Sequence, residues 1–160
     1  MSKAVVFFAD GTEECEALLV VDLLRRAKVE VLVASAMGRK EVVSSHKIHL
    51  TTDAVAEEID YSDVDMVVLP GGIPGTPNLA ANKTVTDTCV SFAKAGKKVA
   101  AICAAPTVLA ALHITDGHPT TCYPGCEEKM GAALPQSGKA VVRDGKLITG
   151  TSAGCAGPFA

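Results

Sequence analysis

The chain has 160 residues, of which 48% are hydrophobic and 21% charged, and its formal net charge is −3. This composition excludes an intrinsically disordered chain, because so many apolar residues bury enough surface to offset the loss of chain entropy. The slight negative charge disfavours a nucleic-acid partner, which needs clustered Lys and Arg for its phosphates. Aromatic residues make up only 4%, so platforms for stacking bases are scarce as well.

We expect a cytoplasmic protein with no membrane partner. No apolar run approaches the ~20 residues that span a bilayer, and residues 1–3 lead directly into an apolar stretch without a signal-peptide layout. In the cytoplasm the six cysteines are expected to be reduced thiols rather than a disulfide framework.

In the first half of the chain, short apolar runs alternate with helical patterns. Residues 4–9 form a continuous apolar run, typical of a strand that is covered on both faces. Acidic residues then open a helix that continues to residue 27, where the positive end of the helix dipole favours them. Residues 29–35 are predicted to be a second strand, 39–51 a short hairpin, and 54–59 a brief helix.

The second half continues this alternation. A buried strand is predicted at residues 65–69, followed by a helix that Asn78 caps and that continues to residue 95. Residues 98–102 are the next predicted strand, and a helix follows as far as residue 112. Residues 140–149 are predicted to be a hairpin that turns at an Asp-Gly pair.

This order predicts a single α/β domain over residues 1–160, with one mainly parallel sheet and helices on both faces. Ligands in such folds bind beyond the carboxyl ends of the strands. Three segments meet there: the turn after the first strand, the pair Gly71-Gly72, and Cys103. Only residues 150–160 follow the last predicted strand, so we expect a C-terminal helix to be missing and one sheet face to be left bare.

Cys103 is the leading candidate for a reactive residue. It lies between a predicted buried strand and a helix, as a nucleophile on a strand-to-helix elbow would. Amides at a helix N-terminus stabilise a thiolate, so we expect a lowered pKa for Cys103. From its position alone, a buried structural cysteine is an equally good interpretation.

Glu16 is the second candidate, because its helix begins at the same predicted sheet edge. An ionised Glu16 beside Cys103 would raise the pKa of the thiol, whereas a protonated Glu16 would donate a hydrogen bond and favour the thiolate. The two groups would then titrate as a coupled pair. Without Cys103 nearby, a solvent-exposed acid in the first helical turn is the commoner arrangement.

The glycines after the third strand suggest backbone contacts with a ligand. Gly71-Gly72 lets the backbone approach closely, and the amides of Gly72 and Ala104 are candidates for an oxyanion hole. An ordinary tight turn is the alternative. The glycine spacing matches neither a P-loop nor a dinucleotide fingerprint, and we expect no cofactor.

A zinc site is the interpretation to test for His118, Cys122 and Cys126, which recur at every fourth position. Pro119 and Pro124 prevent a helix from aligning the three side chains, and no fourth ligand is evident. We therefore predict no metal site.

Three segments resemble the ThiJ/PfpI superfamily, specifically its DJ-one-like branch: A-D-G-T-E-E-C-E at residues 9–16, V-V-L-P-G-G at 67–72 and A-A-I-C-A-A-P at 100–106. The resemblance runs through nearly the whole chain. It implies a flavodoxin-like fold and a homodimer. It also implies Cys103 as the reactive thiol, protonated Glu16 as its hydrogen-bond partner, and the Gly72 and Ala104 amides as the oxyanion hole, with Gly71 in the pocket.

The chain departs from this resemblance near the cysteine. The protease-like branch has His directly after the cysteine, where this chain has Ala104, so peptidase activity is disfavoured. Many relatives have His before the proline that aligns with Pro124, where this chain has Tyr123, which is able to donate a hydrogen bond. Arg26 and His46 align with positions near the pocket in relatives, as residues that a partner subunit would contribute.

Two functions of different classes follow. The first is a cofactor-independent glyoxalase or deglycase in which Cys103 attacks a small reactive aldehyde such as methylglyoxal, giving a 2-hydroxy acid. The second is an oxidative-stress sensor or redox-regulated chaperone, in which Cys103 is oxidised without turnover. A truncated, inactive chain is a third interpretation.

Overall fold

The computed structural model describes residues 2–160. Its centre is a sheet of seven strands. The strands are β1 Lys3–Phe8, β2 Glu30–Ser35, β3 Glu41–Val43, β4 His49–Thr51, β5 Ala54–Val55, β6 Met66–Leu69, β7 Lys98–Ile102, β8 Pro119–Thr120, β9 Leu134–Pro135, β10 Val141–Asp144 and β11 Leu147–Gly150. The order in the sheet is β10-β11-β7-β6-β1-β2-β5, and all neighbours are parallel except β10 and β11. Outside it, β3 and β4 form an antiparallel hairpin, and β8 pairs with β9.

Helices cover both faces of this sheet. They are α1 Glu14–Arg26, α2 Gly75–Ala81, α3 Lys83–Lys94, α4 Pro106–Ala111 and α5 Ala156–Phe159, with short 3-10 turns at Ala56–Glu58, Glu127–Lys129 and Ala153–Cys155. The helices α1 and α5 share one apolar core with the sheet, and α2, α3 and α4 share the other. The predicted α/β class and mainly parallel sheet are therefore confirmed.

Strand β1 explains why the sheet is buried on both sides. Successive side chains of a strand point to opposite faces. Val5 and Phe7 therefore pack beneath α2–α4, whereas Val6 and Phe8 pack beneath α1 and α5. All four are at most 1% exposed, and complete burial of each such side chain contributes roughly 1.5–3 kcal/mol.

Two helix predictions were wrong. Residues 54–59 form the edge strand β5, which pairs with the end of β2, and a 3-10 turn. The single helix expected up to residue 95 is divided into α2 and α3 at Asn82, whose Oδ1 accepts a hydrogen bond from the Val85 N–H at 3.0 Å. Asn78 is not a cap: it lies inside α2 and donates through Nδ2 to the carbonyl of Asp10 at 2.9 Å.

The end of the chain also differs from expectation. A short helix, α5, follows β11, and its Phe159 is only 6% exposed in the core beneath α1. That face of the sheet is therefore not bare. Within residues 2–160, no helix has both the length and the apolar composition that crossing a membrane requires.

Candidate functional site

Cys103 lies at a sharp bend between β7 and α4. Its φ of 66° falls in the left-handed region, which is uncommon for a residue with a side chain and costs roughly 1–2 kcal/mol. Two backbone hydrogen bonds hold the bend: the Cys103 N–H donates to the Gly150 carbonyl at 2.9 Å, and the Cys103 carbonyl accepts from the Tyr123 N–H at 2.7 Å. The predicted strand-to-helix elbow is present, with a strained backbone of the kind that clusters at active sites.

Glu16 is buried beside this bend rather than exposed to solvent. Glu13 caps α1, its carboxylate accepting the Glu16 N–H at 2.8 Å, and this fixes the start of the helix at the sheet edge. Glu16 is 1% exposed, and its Oε2 accepts the Gly71 N–H at 2.9 Å. Its carboxyl group lies beside the Cys103 thiol, since both would touch a Cβ placed on Gly71. The solvated first-turn alternative for Glu16 is therefore wrong.

The two consecutive glycines close the site from the end of β6. A Cβ on Gly71 would lie 2.6 Å from Cys103 Cβ and 2.7 Å from Glu16 Oε2, so only glycine fits between the two side chains. The N–H groups of Gly72 and Ala104 both act on the Cys103 thiol, and each lowers its pKa. Two backbone donors thus lie at the sulfur, and their use as an oxyanion hole stays a prediction.

The thiol and the carboxyl group perturb each other's protonation. Burial, then the charge of Glu16 and its hydrogen bond, raise the pKa of Cys103 to about 12, although the Ala104 and Gly72 N–H groups lower it. Burial also raises the pKa of Glu16. Beside a charged Glu16, the pKa of the thiol is thus shifted opposite to the lowering expected from the helix N-terminus.

The contribution of Glu16 to this shift depends on its own proton. When Glu16 is protonated, its negative charge is gone and its O–H is able to donate to the sulfur. Burial penalises whichever group of the pair is ionised, and the two backbone donors favour the charge on sulfur. The pair therefore titrates together, and a thiolate at Cys103 is favoured only while Glu16 carries the proton.

Cys103 opens onto a cavity of about 640 Å³. Residues of α2 and α4 form much of its lining, together with Ile73, Tyr123, Cys126 and Lys129. Tyr123, expected near the pocket, does line it. The contributions of Cys126 and of the two helices were not anticipated, because they depend on long-range packing rather than on a local motif.

Two other pocket candidates lie elsewhere in the chain. Arg26 is exposed and pairs with Asp22 at 2.8 Å, and His46 is exposed with its Nδ1 2.7 Å from Glu14 Oε1. Neither residue lines the Cys103 cavity. Their contribution to a partner subunit's pocket stays a prediction.

Of the three residues considered for zinc, His118 has a partner of another kind. His118 Nδ1 lies 2.8 Å from Asp144 Oδ2. Within residues 2–160, the clustered metal-ligating atoms belong instead to Glu13, Glu14 and His46, which lie within 4.8 Å of one another. Such partly exposed acidic groups are common without an ion.

Comparison with known proteins shows the family to which the chain belongs. The family model of the DJ-1/PfpI family matches residues 2–160. The chain is 38% identical over 162 residues to Protein dj-1beta of Drosophila melanogaster, covering 100% of this chain and 87% of that protein. It is also 28% identical over 148 residues to a deglycase of Pyrococcus abyssi, covering 92% and 88%.

Among solved structures, the chain is similar to oxidised DJ-1 of Toxoplasma gondii. The TM-score is 0.94 at 29% identity, and the match covers 99% of this chain and 86% of that one. The flavodoxin-like fold is thereby confirmed. On the family match, the identity with its relatives and the shared fold, the chain belongs to the DJ-1/PfpI family.

Proposed function

We propose that the protein is a cofactor-independent glyoxalase or deglycase-type enzyme acting on small reactive carbonyls. One observation carries the proposal: the Cys103 thiol meets a buried carboxyl group and two backbone N–H donors where it opens onto a cavity. A nucleophile, a proton acceptor and donors for a developing oxyanion are the groups that addition to an aldehyde requires.

The reaction begins with addition of Cys103 to methylglyoxal. A bond forms between Sγ and the aldehyde carbon as the thiol proton passes to Glu16, whose raised pKa makes it a better acceptor. The aldehyde oxygen becomes an oxyanion facing the Gly72 and Ala104 N–H groups. Glu16 then returns the proton to that oxygen and gives a neutral hemithioacetal.

Release of product needs two internal proton transfers and one water molecule. The hydrogen on the former aldehyde carbon moves as a proton to the neighbouring carbonyl carbon, and the hydroxyl proton moves to the neighbouring oxygen. The hemithioacetal thereby becomes a thioester of lactate. Water cleaves the thioester, releases lactate and restores the thiol, so the net reaction is methylglyoxal plus water to lactate. The similarity to the Pyrococcus abyssi deglycase supports this choice.

Lactate formation from methylglyoxal tests the proposal. Cys103→Ser should reduce turnover by at least about 100-fold, because serine is a much weaker nucleophile in the same place. Cys15→Ser is the matched control, since Cys15 is exposed on α1. Turnover that is unchanged in Cys103→Ser would remove this function.

A cysteine-based oxidative-stress sensor, or a redox-regulated chaperone without turnover, is the second proposal. The Gly72 and Ala104 N–H groups and the Glu16 carboxyl would hydrogen-bond an oxygen added to Cys103. The similar structure from Toxoplasma gondii is of an oxidised DJ-1, which supports this alternative. Sub-stoichiometric peroxide followed by intact-mass and peptide analysis tests it: adducts that map away from Cys103 contradict the sensor.

We also propose the homodimer and the cytoplasmic location expected from the sequence. Size-exclusion chromatography with light scattering measures the first, and cell fractionation the second. A monomeric mass at micromolar concentration contradicts the homodimer, and recovery outside the cytoplasmic fraction contradicts the location.

A further inference from the structure

We infer that the cavity beside Cys103 takes 2-oxoaldehydes whose second substituent is an apolar arm larger than a methyl group, with the arm lying between α2 and α4. The inference rests on the proposed function and specifies its substrate class. Phenylglyoxal, whose product on addition of water is mandelate, is the simplest member of this class.

The first argument is size. The cavity encloses about 640 Å³, a volume within the roughly 300–1,000 Å³ of sites that bind drug-sized ligands. Methylglyoxal carries a single methyl group beside its two carbonyls and fills only a small part of that space. The sulfur meets the reacting carbon at the Cys103 bend, so the remaining volume lies beside the other end of the substrate.

The second argument is the chemical character of the lining. Pro77 and Ala80 of α2 and Val108 and Ala111 of α4 all line the cavity. Ile73 also lines the cavity, and it is 68% exposed. An apolar side chain so exposed beside other apolar surface is a feature of ligand-binding grooves. A bound apolar arm would cover these side chains and remove their apolar surface from water, which favours binding.

The third argument is charge. Of the described residues that line the cavity, Lys129 alone carries a charge. A cationic arm would therefore meet a like charge and lack a carboxylate to pair with, whereas a neutral apolar arm loses nothing. The lining thus favours aryl and branched alkyl glyoxals over amino-substituted ones.

The part of the cavity between α2 and α4 that would hold the apolar arm is called the arm site. An alkylation experiment tests it without requiring turnover. The rates at which iodoacetamide and N-phenyl-iodoacetamide modify Cys103 are measured by peptide mass analysis. Each rate is divided by the rate of the same reagent with free cysteine. In the parent protein, the corrected rate should be at least about tenfold higher for the aryl reagent.

Two variants place a larger side chain into the cavity, one from α4 and one from α2. Ala111→Phe on α4 and Ala80→Phe on α2 should each bring the corrected rate ratio close to one, because the new ring occupies the space of the arm. Ala132→Phe, at an exposed position that does not line the cavity, is the matched control and should keep the parent ratio. Thermal unfolding of each variant confirms that it is folded.

The outcomes separate this inference from the function on which it rests. A parent ratio near one, or a ratio that neither variant changes, overturns the apolar arm site even if methylglyoxal is converted to lactate. A retained aryl preference without mandelate from phenylglyoxal supports the arm site and contradicts the proposed enzyme. With both activities present, the kcat/KM ratio of phenylglyoxal to methylglyoxal should fall at least tenfold in Ala111→Phe.

Discussion

The interior of α3 and the bend after β7 each hold a cysteine whose pKa is raised to about 12, yet the causes differ. Cys89 of α3 is completely buried in the core beneath the sheet, and burial is what raises its pKa. At Cys103, burial is joined by the charge and hydrogen bond of Glu16, while two neighbouring N–H groups lower the pKa.

The difference between these regions teaches that a raised pKa alone does not make a thiol inert. Burial of Cys89 is permanent in the folded protein, so its thiolate is disfavoured at all times. The charge of Glu16 disappears when Glu16 accepts a proton, and in the proposed mechanism that proton comes from the thiol of Cys103. On this proposal, Cys103 has a route to the thiolate that Cys89 lacks.

Selective labelling gives the largest expected contrast. Iodoacetamide at pH 7 should modify Cys103 at least about 100-fold faster than Cys89 in the folded protein, because Cys89 lacks both solvent access and a proton acceptor. Peptide mass analysis measures both rates, and labelling in urea is the control that should make them similar. Comparable rates in the folded protein would break the distinction between the two regions.

Gly71→Ala should disrupt the Cys103 region specifically. The added methyl would lie within 2.7 Å of Cys103 Cβ and Glu16 Oε2, and such overpacking costs about 1–3 kcal/mol. Urea unfolding measures the loss. Gly154→Ala is the control, since a Cβ there meets only Ser152 Oγ at 3.9 Å. Equal stability of the two variants would mean that the site accommodates a methyl group between Cys103 and Glu16 without loss of stability.

Glu14 and Glu16 offer a smaller test within one helical turn. Burial disfavours the charge on both. At Glu14, its own backbone N–H and the side chains of Ser44, Ser45 and His46 outweigh burial and lower the pKa from 4.5 to about 2. A lowered pKa in the folded state stabilises the protein above pH 4.5, and this stability is lost as the pH falls toward 2.

Glu14→Gln should therefore lower the free energy of unfolding by about 1–3 kcal/mol at pH 7 and by less at pH 3. Urea unfolding at both pH values measures this. Glu58→Gln, at an exposed position, is the control and should change little. An equal loss at pH 3 and pH 7 would show that the ionised carboxylate of Glu14 is not what stabilises the helix start.

The parts of the molecule that the sequence predicted correctly depend on local signals. The apolar strand before Cys103 and Pro106 after it were enough to predict the elbow. The division between α2 and α3 was missed because Asn78 and Asn82 both look like helix caps, and only the packed structure distinguishes Asn82 by its bond to the Val85 N–H.

Long-range contacts account for the rest of the site. The first-turn position of Glu16 alone favoured exposure, and its burial depends on the Gly71 N–H, 55 residues away in sequence. The cavity walls come from α2 and α4, which no motif connects. Local patterns thus predicted which residues carry the chemistry, whereas the space that receives a substrate became visible only after packing.

The rate of Cys103 alkylation as a function of pH, in the parent, Glu16→Gln and Glu16→Ala proteins, tests the shared proton most directly. Glutamine is still able to donate a hydrogen bond to sulfur and alanine is not. The Gln variant should therefore react faster than the Ala variant near neutral pH, with both profiles displaced from that of the parent. Three superimposed profiles would contradict any role of Glu16 in activating the thiol.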